Sequence, residues 1–164
     1  MSIRSWFAAY PRKALIGQVI GFCIFVTAFF LPAVRAGSVG SDSFYGWDCA
    51  RMALQATPHL FEKPDPDWPY FMTLLLAMSG WINILILLYV SFSFAPKFLA
   101  ARRILAAAIL VCMVSTWTFF VVEGIFPLIG HFLWIGGALL ILAPEVSLLK
   151  RKTSTEKRQI PLVS

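Results

Sequence analysis

The sequence predicts an all-α membrane protein: a four-transmembrane-helix bundle, N-in/C-in, with a short interfacial helix in its first outer loop. Three observations predict it. Four long apolar stretches, at about 14–34, 70–94, 104–122 and 126–149, each suffice to cross a bilayer core of ~30 Å as a helix of about 20 residues. Of the 164 residues, 59% are hydrophobic and 13% charged. A soluble domain of this size cannot hide that much apolar surface, so lipid must cover the remainder. Finally, the basic residues gather on every second side of the stretches. Residues 1–149 therefore read as a single transmembrane domain and 150–164 as a basic cytoplasmic tail.

Arg4, Arg12 and Lys13 precede the first stretch. Lys97, Arg102 and Arg103 separate the second from the third, and Lys150, Arg151, Lys152, Lys157 and Arg158 follow the fourth. The long first loop balances Arg35, Arg51 and Lys63 against Asp42, Asp48, Glu62, Asp65 and Asp67, and the loop between stretches three and four has no Lys or Arg. By the positive-inside rule both termini and the middle loop are cytoplasmic. The net charge of +6 is thus a topological signal, and no basic face remains to suggest nucleic acid.

Residues 1–13 form an amphipathic lead-in, with Trp6, Phe7 and Tyr10 at headgroup level and the basic residues on anionic lipid. The first stretch is too long for the core of a cleaved signal peptide, and Pro32 and Arg35 spoil a cleavage pattern, so it is read as a retained helix. Gly17 and Gly21 lie one turn apart in it, a GxxxG groove that suits helix packing within the bundle or a homodimer seam.

In the outer loop, 47–56 reads as a short helix on the membrane. Trp47, Ala50 and Leu54 would face lipid or the top of the bundle, while Asp48, Arg51 and Gln55 make a polar stripe. Trp47, Asp48, Cys49 and Arg51 are its candidate interaction residues. Cys49 is the one exported cysteine, so no disulfide framework is possible within that loop. Asp67 caps the second stretch. Asn83 is the most polar group near the bilayer midplane, and an amide there must point inward to bond another helix or a ligand. Helix three is expected from Ile104, with its hydroxyl residues bonding their own backbone. Glu123 closes it, and Gly124 and Pro127 turn the chain into helix four, which carries His131 and Trp134.

Chemistry is sparsely signalled. Asp48, Cys49, His59, Glu123 and His131 all belong to the outer side, yet their spacing matches no metal motif. Neither Cys-x-x-Cys nor Gly-x-Ser-x-Gly occurs, which argues against a thiol oxidase or a serine hydrolase. No Asp, Glu, Lys or Arg lies in the middle third of any predicted span, which argues against an ion-coupled pump or proton channel. Asn83, Glu123 and His131 are the candidate ligand or helix–helix contacts. Trp81, Trp117 and Trp134 lie deeper, where they either face lipid and pack the bundle or line a cavity for a lipid or quinone-like ligand. No catalytic residue, metal or cofactor is assigned.

Phe30-Leu31-Pro32-Ala33, Gly46-Trp47-Asp48-Cys49-Ala50, Trp81-x-Asn83 and Leu133-Trp134 together resemble small uncharacterised four-helix bacterial inner-membrane proteins. That resemblance implies a fold and a location, and brings no activity. The Trp–Cys element also looks superficially like that of claudin-type proteins, but the second loop cysteine those need is missing. The expected role is non-catalytic: an accessory or interaction subunit whose partners are membrane lipid, another protein or a second copy of itself. The alternatives are a small-molecule carrier or channel using the Asn83 region and, after it, a membrane-embedded enzyme or metal site at the outer face around Glu123 and His131.

Overall fold

A computed structural model describes residues 12–35, 42–62, 69–93 and 98–158. The described residues form five helices and a small sheet: α1 (Arg12–Ala28), β1 (Pro32–Arg35), β2 (Ser43–Tyr45), α2 (Gly46–His59), α3 (Tyr70–Ser93), α4 (Leu99–Glu123), β3 (Phe126–Pro127) and α5 (Ile129–Arg158). α3 and α4, of 24 and 25 residues, are each long and apolar enough to cross a membrane. At 1.5 Å per residue they exceed the ~30 Å hydrocarbon core. The apolar parts of α1 and α5, Leu15–Ala28 and Ile129–Glu145, are shorter.

Several boundaries differ from the sequence reading. α1 ends at Ala28 rather than continuing to 34. Its last turn tightens through bonds from Phe29, Phe30 and Leu31 to Val26, Thr27 and Ala28, and Pro32 then begins a strand, where its missing N–H costs nothing. β1 is the central strand of an antiparallel sheet ordered β2-β1-β3. Sheet formation was not expected, because four-residue and two-residue strands leave no alternating pattern to read. α4 starts at Leu99, not Ile104, which takes Arg102 and Arg103 into the helix. α5 starts at Ile129, after β3 rather than at 126, and continues to Arg158, past the expected end at 149. The lead-in of residues 1–11 lies outside the described residues, as do Lys97 and Asp67.

The helices associate in two pairs. α1 packs on α5 along its length and α3 on α4, whereas α4 and α5 touch little. The α1–α5 contact depends on Gly21 and Gly137: a Cβ on either would fall within 2.8 Å of the other helix's backbone. All four helices feed one core, with Phe25 from α1, Ile82 and Ile86 from α3, Ile109 from α4 and Ile141 from α5.

α2 is more deeply embedded than a helix resting on the surface. Its buried face is Ala53 and Ala56, and Gly80 of α3 admits the backbone of Ala53 so closely that a Cβ would clash at 2.6 Å. Its first amides, Gly46 and Trp47, donate to the carbonyls of Leu31 and Phe29 at 3.1 and 3.0 Å. The orphan donors of one helix thus meet the orphan acceptors just beyond another.

Candidate functional site

Two polar sites lie at opposite ends of the shared core. The first is a cavity of about 270 Å³ walled by α2, α3, α4, α5 and the β1 strand. Its surface is mostly apolar, with Ala53, Leu76, Phe119 and Phe120 among the walls and Ser79, Asn83, Thr116 and His131 as its polar groups. Asn83 reaches it from the middle of α3 and His131 from the first turn of α5, where Gly130 lets α5 approach the carbonyls of Leu31 and Pro32.

Trp134 organises the polar wall. Its Nε1 donates to Asn83 Oδ1 at 3.0 Å. An indole N–H only donates, so the amide oxygen must face it, and the Asn83 NH₂ is left as a donor. The His131 ring stacks on the Trp134 indole at 5.5 Å and 26°, and Phe120 and Trp117 crowd it from other sides at 4.7 and 5.5 Å. His131 is only 5% exposed, yet its Nε2 is buried without a hydrogen-bond partner. Buried ring nitrogens are nearly always paired, which makes this one a candidate contact.

The outer loop contributes less directly. Cys49 lines the cavity as a free thiol. Burial pushes it up to about 11, and the Asp48 carboxylate adds to that shift. Trp47, Asp48 and Arg51 are exposed, and no ion pair joins Asp48 to Arg51 among the described residues. Glu123 is exposed at the end of α4 and does not reach His131. His59 bonds Glu62 at 2.7 Å, away from the cavity. Among the described residues no three His, Cys, Asp or Glu side chains gather closely enough to hold a metal ion. Gly17, unlike Gly21, meets nothing within 4 Å. Of the three deep tryptophans, Trp134 lines the cavity, Trp117 backs His131, and Trp81 is exposed.

The second site was not foreseen. Arg102 of α4 and Glu145 of α5 form an ion pair, 3% and 5% exposed. The fully buried Tyr89 hydroxyl also donates to Glu145, at 3.4 Å, and the Arg102 guanidinium lies over the Tyr89 ring at 5.6 Å. Nearby, Gln18 of α1 donates to the Ile141 carbonyl at 3.3 Å, in the turn where Pro144 interrupts the hydrogen-bond ladder. Arg102 had been counted as a connector cation, so one charge of the topological pattern is in fact buried. Glu145, expected near the end of its span, lies about halfway along the longer α5. The signal for this site was an opposite charge at the same end of two neighbouring stretches.

No protein-family model matches the sequence, and comparison with curated proteins and with solved structures finds no relative.

Proposed function

We propose that this chain is a four-span membrane protein with cytoplasmic termini, and that it binds a small apolar molecule, drawn from the lipid phase, in its outer cavity without transforming it. The cavity carries the reading. At about 270 Å³ it exceeds the ~150 Å³ pocket that suffices for benzene and lies just below the ~300 Å³ at which drug-sized ligand sites begin. One ring or a short chain fits it. The four-span arrangement is supported by apolar residues exposed on all four core helices, such as Ile16 and Val19, Leu87 and Leu88, Val111 and Val114, and Phe132 and Leu139. Outward apolar faces of this extent have lipid as their natural cover.

The test is fluorescence quenching by bromobenzene in lipid nanodiscs. Binding in the cavity makes quenching of Trp134 saturable, and Ala50→Phe, which fills the cavity, abolishes the saturable component, as does Trp134→Phe. Quenching that rises linearly with probe, identically in the wild type and Ala50→Phe, overturns the reading.

A further inference from the structure

We infer that the cavity's ligand is a neutral compound with an apolar ring-sized body and a carbonyl-type oxygen, recognised by Asn83 and His131. This rests on the reading of the cavity as a ligand site and names the chemistry it selects.

The argument starts from what the wall offers. The Trp134 bond fixes the Asn83 amide with its oxygen engaged at 3.0 Å, so the side chain presents only N–H groups to a ligand. His131 adds a buried ring nitrogen that has no partner, a donor in the tautomer that carries hydrogen on Nε2. The two residues meet the same indole, Asn83 at its N–H and His131 across its face. A carbonyl oxygen has two lone pairs and donates nothing, so it complements such a wall. Hydrocarbon filling would leave these groups unsatisfied in an apolar chamber.

A charged ligand is disfavoured for the opposite reason. None of the residues lining the cavity is Asp, Glu, Lys or Arg, and the buried Arg102–Glu145 pair occupies the other end of the core. An ion in the cavity would be desolvated without a counter-charge. The aromatic rings of Phe119, Phe120 and Trp134 suit a flat body.

Two compounds of nearly one shape decide the matter: 4-fluoroacetophenone, which has a C=O, and 4-fluoro-α-methylstyrene, which has C=CH₂ in its place. Their binding is followed by ¹⁹F NMR in nanodiscs holding the full chain, against empty nanodiscs. The ketone is expected to bind at least about tenfold more tightly than the hydrocarbon. Asn83→Leu and His131→Phe should each reduce that preference and leave the hydrocarbon's affinity nearly unchanged. Equal binding of the two compounds by the wild-type protein overturns the inference while leaving the cavity as an apolar site. Should neither compound bind and bromobenzene quenching also fail to saturate, the ligand-site reading falls with it. If a variant fails to fold, the wild-type comparison still decides.

Discussion

At the scale of single residues, the buried polar side chains of this protein are largely drawn into pairs. Arg102 and Glu145 answer each other. Removing one member strands a buried charge, so Arg102→Met or Glu145→Leu alone should cost about 3–5 kcal/mol, whereas the double substitution should recover most of that loss. Thermal unfolding in detergent would check it; single variants as stable as the wild type would exclude a structural pair. Cys49 offers a pH test. Its thiol stays neutral until about 11, so the thiolate is scarce at neutral pH. Alkylation by a maleimide at pH 7.5 should run roughly a hundredfold slower than for a free thiol, rising about tenfold per pH unit up to about 11. The same sign governs stability: the contribution of the neutral thiol is complete below its ordinary value of 9.0 and lost as pH rises through about 11. His131 keeps a buried ring nitrogen with no hydrogen-bond partner. Asn83 and His131 were legible in the sequence because a lone polar group in an apolar stretch stands out. Arg102 was not, because a basic residue beside a stretch reads as a solvated connector until the helix is known to begin at Leu99.

At the scale of elements, close contacts between backbones govern which helix meets which. Gly137 and Gly17 provide the contrast. A side chain at Gly137 would strike the backbone of Phe25 at 2.6 Å, whereas one at Gly17 meets nothing within 4 Å. Gly137→Val should therefore destabilise by about 1–3 kcal/mol or more through overpacking, while Gly17→Ala should stay within about 0.5 kcal/mol of the wild type or improve on it. Chemical denaturation in mixed micelles distinguishes them, and equal effects would refute the assignment of the α1–α5 seam. The same contrast explains what the sequence could convey. The GxxxG pattern at Gly17 and Gly21 announces a groove, but only the partner backbone shows that one of its two glycines is used. The helix at 47–56 was legible from its polar stripe. Its insertion against Gly80 was not, because close approach to a glycine leaves no periodic trace. β1 and β3 were missed for a related reason: their pairing is set by residues far apart in the chain.

At the scale of the whole molecule, the proposed topology yields a direct test. In a background with Cys23, Cys49 and Cys112 replaced by alanine, Glu62→Cys should react with a membrane-impermeant maleimide in intact cells, and Arg103→Cys only after permeabilisation. Labelling of Arg103→Cys from outside would reverse the orientation. The arrangement in two helix pairs also bears on how the chain is made. α3 and α4 are neighbours in sequence and can associate as soon as both exist. α1 must wait for α5, synthesised after α2, α3 and α4, to bury Gly21 and to engage Gln18, and β1 must wait for β3. Until then the nascent chain holds α1 without its partner, with the Gln18 amide unengaged and the Gly21 groove unfilled. Chains arrested after Glu123 should accordingly be cleared by membrane quality control, and co-expressing the α5 segment as a separate piece should rescue them. For this protein, biogenesis is a problem of timing between α1 and α5.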